Sequence, residues 1–569
     1  MTESPTASLE KSQTSPAARI GWAILIAATL YLCYFSHLGA IGFVGPDEPR
    51  YAWIARAMTE TGDWVTPRLY GQPWFEKPPL YYWEAAVSFK VFGVSEAAAR
   101  LPSAISALLA TLALAWLAWR MYGQETARWL LLLLPTTVGM IGFSHAAATD
   151  MPFSGMVTIA MVCAAVVLRL IPTAEGGASP APTSPSMPWT ALILFGFFLG
   201  LAVLAKGPAG IILCGGAVFF WAIFTKRWRV AFRLLHPAAV AAFCLTALPW
   251  YILCARRNPD FLRVFIIEHN FKRYLTPEFQ HIQPFWYYGP VTALAIVPWI
   301  ALLVPFAADA RSLWKTERPR ELSQIFFLTF TGFTILFFSI SKSKLPGYIL
   351  PAVPALMFVL ADTCKHLREK TTIMKTWTTT IFALTILSLC LGLLKIAAWN
   401  LSKLDPTADS WGLRGRLPVL LFLVGGSCSM AMVATKRHMA ALRTGVVTLL
   451  LGLATFNSGL LSLKDLSVRR FAIPEGHSLP QYQPEDVATY RLRRSYQYSL
   501  NFYFHHELPE WRMESNKARW VYTDFNNVPE AEKQGLKCEM PRFVVIWTPV
   551  VVCEDPGLST GQARSGKLQ

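Results

Sequence analysis

Between Ile20 and Leu461 the sequence returns again and again to apolar runs about as long as a bilayer is thick. In lipid a backbone must satisfy its own polar groups, which such runs do as helices. Thirteen runs are found, near residues 20–41, 101–119, 129–144, 151–171, 189–205, 207–225, 237–254, 285–306, 323–340, 346–362, 376–398, 417–435 and 444–461. They predict a mainly α, polytopic membrane protein of about thirteen transmembrane helices. Only 15% of residues are charged and the mean hydropathy is +0.37, too apolar for a soluble chain of 569 residues. The net charge of +17 forms no compact basic domain. It reads as Lys and Arg flanking spans and meeting anionic membrane lipid, with no nucleic-acid partner.

Charge also orients the chain. Basic clusters at Lys226–Arg229, Arg311–Arg320, Lys365–Lys375 and Lys436–Arg443 fall on one face with Arg19, Arg120 and Arg128. That face is expected to be cytoplasmic. Residues 1–19, rich in Ser, Thr and Pro, read as a disordered cytoplasmic tail. Residues 20–462 then form the transmembrane catalytic domain, and the low-complexity stretch 172–188 a cytoplasmic loop. Within it, 42–100 is a first outer loop, where Arg50 to Met58 and Tyr81 to Phe92 have the spacing of short helices lying along the membrane surface. Residues 463–569 read as a small mixed α/β periplasmic domain with a frayed tail after Gly557. Its segments SYQYSLNFYF, ARWVYTDF and PRFVVIWTPVVV look strand-like. Eight of the ten cysteines lie in or beside apolar runs. The other two, Cys538 and Cys553, are expected to form a disulfide in an oxidising compartment, the alternative being two unpaired thiols.

The charged residues at the outer ends of the spans are the candidate chemistry. They are Asp47, Glu48 and Arg50; Glu76 and Lys77; His145 and Asp150; Lys206; Glu268, His269, Lys272 and Arg273; and Lys342, Lys344 and Tyr348. Span counting puts them all on one side. A charge at membrane depth costs roughly 2.5–3.5 kcal/mol on insertion scales, so such groups need partners or a wet cavity. Acids, histidines and cations around one lipid-lined cavity suit an anionic, lipid-linked substrate. Asp47 has two readings: a helix cap after the Gly45-Pro46 turn, or a general base held ionised by Arg50. Asp150, with Pro152 in the first turn of its span, is likewise a cap or a cavity acid. Lys206 is a snorkelling lysine or a cavity cation. Lys342 and Lys344 stand on the side where cations are disfavoured, which a substrate phosphate would explain. His269 is a loop histidine, a metal ligand paired with Glu76, or a substrate contact, so a divalent cation stays open as a cofactor.

These residues sit in DEPRYAWIARAM, GDWVTPRLYGQPWFEKPPLYYW, ATDMP, LAKGP, EHNFKRY and SKLPGYILP, in that order. Together they resemble the aminoarabinose transferase (ArnT-like) branch of the polyprenyl-phosphate-dependent GT-C glycosyltransferases, relatives of the protein O-mannosyltransferases. The resemblance covers about residues 20–360. It implies the GT-C fold of thirteen spans, surface helices in the first periplasmic loop and a small periplasmic C-terminal domain. It also implies that Asp47 and Asp150 are the cavity acids, with Arg50 beside them. Lys77, Lys206 and Arg273 become cations for lipid phosphate or sugar, Tyr348 a cavity tyrosine, and Glu76 and His269 a pair suited to a divalent cation. Glu48, Lys342 and Lys344 are added as substrate contacts from their positions.

The expected activity is transfer of a sugar, such as 4-amino-4-deoxy-L-arabinose, from undecaprenyl phosphate to lipid A, a protein hydroxyl or another glycan at the periplasmic face. The leaving lipid phosphate is stabilised by Lys and Arg. A hydroxyl acceptor would use Asp47 as base; a phosphate acceptor, already anionic, needs none. The rival classes are a transporter of lipid-linked sugars, which calls for repeats and broken helices near the midplane, and a membrane scaffold, which needs no acids.

Overall fold

The computed structural model describes residues 15–171, 187–275, 282–313, 319–401, 412–460, 468–469, 483–512, 518–539 and 550–556. The polar N-terminal stretch, most of the 172–188 loop and the tail after Gly557 lie outside them.

Every predicted apolar run falls on helix. Among the described residues nine helices are long and apolar enough to cross a membrane, including α1 (Pro16–Tyr34), α4 (Glu96–Tyr122), α7 (Asp150–Val167), α8 (Trp189–Lys206) and α11 (Pro237–Arg257). Two more runs are broken pairs. Gln124–Leu133 and Val138–Ser144 (α5 and α6) meet at 63°, and Phe285–Ala295 meets Trp299–Ala310 at 105°. The last two are α9 (Ala209–Thr225) and α16 (Ala352–Lys365), of 17 and 14 residues. Thirteen apolar runs therefore give nine full-length helices, or up to eleven when each bent pair is one span.

Local chemistry explains the ends. Ser95 caps α4 by accepting from the Ala98 N–H at 3.2 Å. Pro237 opens α11 at its first turn. Gly207, at φ 78°, makes the tight turn that sends the chain from α8 back into α9. Helices α8 and α11 touch along Gly196, where a Cβ would come 2.1 Å from the Ala239 carbonyl oxygen.

The two short helices expected in the first loop are present, and they form a second core. Helices α2 (Asp47–Thr61) and α3 (Leu80–Phe92) bury Tyr51, Ile54, Met58, Tyr81, Tyr82 and Phe89 together with Phe502 from the C-terminal part. Between them β1 (Arg68–Leu69) and β2 (Gln72–Pro73) make a small antiparallel hairpin.

Near the C-terminus a four-stranded sheet has the order β3–β4–β6–β5, built from Val487–Tyr490, Trp520–Asp524, Val550–Glu554 and Lys537–Glu539. Only β3 and β4 are parallel. Cys538 and Cys553 face each other across β5 and β6 and are joined as a disulfide. ARWVYTDF holds β4, and the end of PRFVVIWTPVVV holds β6; residues 541–549 lie outside the described residues. SYQYSLNFYF departs from expectation: it is helical, within α20 (Arg494–Phe504). Its aromatic alternation fits a strand, but the helix serves two surfaces at once. Leu500 and Phe504, one turn apart, pack on the sheet with Tyr522, while Phe502 and Tyr503 reach the first loop.

Candidate active site

Helix α2 starts at Asp47 because Gly45, at φ 71°, and Pro46 turn the chain there. Pro46 is the cap residue and no side chain caps this helix. The Asp47 carboxylate instead accepts from Arg50 Nη2 at 2.5 Å. Arg50 reaches further, to Glu76 Oε2 at 2.9 Å, and Glu76 Oε1 lies 3.3 Å from Lys77 Nζ. The guanidinium is held between rings: its carbon is 5.3 Å from Tyr51 and Trp74 and 5.9 Å from Tyr498 of α20. Asp150 repeats the pattern. It opens α7 after Thr149 without a side-chain cap, and its Oδ1 accepts from Lys206 Nζ at 2.5 Å. Each acid thus accepts from a cation.

Lys206 lies over the ring of Tyr348 at 4.8 Å. Gly347, beside that ring, has no room for a side chain: a Cβ would sit 2.6 Å from Asp150 Oδ1 and 2.9 Å from Phe143. The LPGY turn, the ATD turn and the AKGP turn therefore close on one carboxylate.

Glu76, Lys77, Lys206, His269 and Tyr348 line a cavity of about 340 Å³ whose other wall is apolar: Ile212, Phe265, Phe271, Leu275, Phe337 and Phe338. His269 and Phe271 come from a π-helical stretch, Arg263–Lys272, and Phe265 within it packs on the Gly207 turn. Asp47, Arg50 and Asp150 are not among the residues that line the cavity; they adjoin it through Glu76 and Lys206. Burial raises the Asp47 carboxyl above the ordinary aspartate range. Arg50 and Lys77 oppose that rise, and Glu76 and Asp150 add to it, so the two acids act within one field. Arg50 alone does not hold Asp47 at its usual value, as its position in sequence suggested.

Other candidates fall elsewhere. Glu48 is 7% exposed and is absent from the cavity wall. Its carboxylate accepts from Arg100 Nε and Nη2 at 3.0 and 2.8 Å, and from the N–H groups of Val44 and Ala147, both at 2.7 Å. Arg100 also donates to the carbonyls of Leu38, Ile41 and Gly42. The pair ties the exit of α1 to the loop before Asp150, which makes Glu48 part of the framework. Sequence reading missed Arg100, because it sits five residues inside a span-length helix and looks like a flanking cation. Lys344 is buried and donates to the carbonyls of Gln283 and Ser341 at 3.0 and 2.6 Å, which pins its own loop. Lys342 is exposed and off the cavity wall. The side chain of Arg273 lies outside the described residues. His145 is a satisfied loop histidine, bonded to Ser36 O at 3.1 Å and Ile141 O at 3.0 Å.

For a metal, Glu76 and His269 share the cavity, but no group of three or more His, Cys, Asp or Glu able to hold an ion exists among the described residues. The Glu76 carboxylate is already taken by Arg50 and Lys77. Two ligands, one so engaged, do not make a metal site of ordinary composition.

The C-terminal part closes over this loop. Tyr503 Oη donates to Glu96 Oε1 at 2.9 Å and accepts from the Phe43 N–H at 3.0 Å. Asn501 Nδ2 donates to Tyr70 Oη at 2.9 Å, and Phe43 meets Phe502 edge to face at 4.8 Å.

Comparison with known proteins agrees with this architecture. A family model described as dolichyl-phosphate-mannose-protein mannosyltransferase matches residues 19–265. An undecaprenyl phosphate-alpha-4-amino-4-deoxy-L-arabinose arabinosyl transferase from Enterobacter sp. (strain 638) is 32% identical over 362 residues, 63% of this chain and 62% of that one. The chain thus spans about six tenths of that relative's length. The protein of the same description from Aeromonas salmonicida (strain A449) is 30% identical over 421 residues, 73% of this chain and 72% of that one. In structure, ArnT from Cupriavidus metallidurans bound to undecaprenyl phosphate superimposes with a TM-score of 0.71 at 23% identity, covering 95% of this chain and 99% of that one. That likeness establishes the fold of a multi-pass membrane protein. The chain belongs to the undecaprenyl phosphate-aminoarabinose arabinosyl transferase (ArnT-like) family of GT-C glycosyltransferases.

Proposed function

We propose that this protein transfers 4-amino-4-deoxy-L-arabinose from undecaprenyl phosphate to lipid A, at the periplasmic face of a bacterial inner membrane. The observation that carries the reading is the pair of acids, Asp47 and Asp150. Each accepts from a cation, and through the Arg50–Glu76 pair and Lys206 both adjoin one recess that opens onto an apolar wall.

The acceptor oxygen attacks the anomeric carbon of the sugar. The bond from that carbon to the carrier phosphate breaks, and the phosphate leaves with the electron pair. Lys77, Lys206 and Arg50 meet the charge that develops there, in a setting where water is scarce and each cation counts for more. The apolar wall takes the first units of the polyprenyl chain. Asp150 and the Tyr348 ring hold the Lys206 ammonium in place. For a phosphate acceptor Asp47 balances and orients charge; for a hydroxyl it removes the proton. No step requires a metal. A second reading, transfer to a protein hydroxyl, is favoured by the mannosyltransferase family match over 19–265.

Purified protein is given radiolabelled undecaprenyl-phosphoryl aminoarabinose with lipid A or with Ser/Thr peptides. Label in lipid A supports the first reading and label in peptide the second. Donor that stays intact with every acceptor, in protein that is folded, overturns both. Cysteines placed beside Glu76, Asp150 and His269 should react with an impermeant thiol reagent from the periplasm; labelling from the cytoplasm only would reverse the topology.

A further inference from the structure

We propose that the end of the helix bundle opposite the active site binds an anionic phospholipid, its phosphate held by Arg229 and Arg233 and one acyl chain laid in the groove between α8, α9 and α11. The Gly207 turn joins α8 to α9 at the active-site end, so Thr225 and the segment after it lie at the far end. There α10 (Trp228–Ala231) and a 3₁₀ turn (Phe232–Leu235) fold across the bundle. A cavity of about 320 Å³ runs beneath them, lined by Phe195, Leu199, Gly215, Phe219, Phe232 and Val240 among other apolar side chains. It has no charged wall residue.

The charge is carried by the segment whose Trp228, Ala231, Phe232, Leu234 and Leu235 line it. Lys226, Arg227, Arg229 and Arg233 fall within eight residues, and the sequence from Trp189 to Arg257 contains no Asp or Glu. Arg229 stands in the α-helical part and Arg233 in the 3₁₀ turn that follows it, on successive turns of one short segment. The Arg233 Nη1 atom is buried and has no hydrogen-bond partner. A buried guanidinium donor without an acceptor is a costly arrangement that an anion relieves. A phosphate suits paired guanidinium groups. The groove that continues from them is dry and elongated, and only a ligand joining a phosphate to an aliphatic chain satisfies both halves. Trp228, 38% exposed and lining the groove, has the amphipathic ring that favours the headgroup level.

Full-length protein in detergent is titrated with phosphatidylglycerol or phosphatidylcholine and read by native mass spectrometry. Phosphatidylglycerol should bind about tenfold more tightly. Arg229→Gln and Arg233→Gln should each weaken it about fivefold, the value of one basic group near an anionic headgroup. A Cβ at Gly215, which lines the groove, meets nothing within 4 Å, so Gly215→Leu should occupy the groove and weaken phosphatidylglycerol binding by a similar factor. Arg437→Gln, an exposed cation in a separate basic cluster, should change nothing. Equal binding of the two lipids, equal effects of Arg233→Gln and Arg437→Gln, or an unaltered Gly215→Leu protein would each overturn the site. So would displacement of phosphatidylglycerol by glycerol 3-phosphate at the concentration at which lysophosphatidylglycerol displaces it, because the groove would then have no part.

Discussion

Glu48→Gln separates a framework role from a substrate role. The wild-type carboxylate accepts four N–H groups: two from Arg100, one from Val44 and one from Ala147. Glutamine keeps one oxygen, which can serve two of them. Its amide nitrogen then faces one guanidinium donor and one backbone donor, with nothing to accept either. Hydrogen bonds to charged groups are each worth about 1.5–3 kcal/mol, and breaking a buried ion pair from one side costs about 3–5 kcal/mol. The two routes agree on a loss of about 3–5 kcal/mol, a large share of a typical folding free energy. The assay is thermal unfolding in detergent, followed by donor kinetics on whatever remains folded. The melting temperature should fall clearly, turnover should fall with it, and the donor KM of the folded fraction should stay near wild type. Arg100→Met should cost a similar amount, and the double variant far less than the sum. An unchanged melting temperature with a raised donor KM would refute the framework role and return Glu48 to the substrate.

Four further outcomes follow from the same geometry. Asp47→Asn should lower turnover by about 10²–10⁴-fold if the acceptor is a hydroxyl; because burial raises the wild-type carboxyl, activity should be present at neutral pH and be lost, as pH falls, above the ordinary aspartate range, an acid limb that the variant lacks. Gly347→Ala pushes a methyl group to 2.6 Å from Asp150 Oδ1, so the carboxylate must move by most of an ångström from Lys206; turnover should drop by up to about 10²-fold in a protein that melts normally, as checked by kinetics beside fluorimetry. Burial raises the Glu84 carboxyl to about 8, so its neutral form favours folding below the usual glutamate range and that contribution is lost as pH rises towards 8; Glu84→Gln should therefore stabilise the protein at pH 8 and do little at pH 4.5 in thermal melts. Tyr498→Ala removes one ring beside Arg50 and should weaken donor use several-fold while the sheet stays intact by circular dichroism.

The helical bundle was legible because length and apolarity suffice to mark a span. What they cannot show is how a run is broken. Leu133 and Val138 lie in one predicted run, and Pro135, Thr136 and Thr137 between them mark a break without telling that the chain bends there by 63°. SYQYSLNFYF misled for a related reason. Its alternation satisfies a strand, and the choice between strand and helix was made by a partner 400 residues earlier, since Phe502 packs with Phe43 and Tyr503 bonds to Glu96. The motifs of the site were legible as a set, since Asp47, Glu76, Lys77, Asp150, Lys206, His269 and Tyr348 all meet in or around one recess.

What was not legible was the division of labour among like residues. Asp47 and Glu48 are adjacent acids, but one turn of helix points them apart: Asp47 to Arg50 beside the recess, Glu48 to Arg100 in the interior. Lys342 and Lys344 sit two residues apart at one span end, and one is exposed while the other is consumed by two carbonyls. Sequence position tells that a charge stands at the mouth of a cavity, but only the carbonyls and N–H groups that the fold brings near decide whether it is spent or spare. The C-terminal helix is the strongest instance. Its Tyr498 faces Arg50 and its Tyr503 bonds to Glu96 and Phe43, so the C-terminal part packs against the loop that carries Asp47. On the proposed function an acceptor that meets Asp47 would do so beside this helix, and exchange of α20 between relatives with different acceptors tests whether it governs acceptor choice.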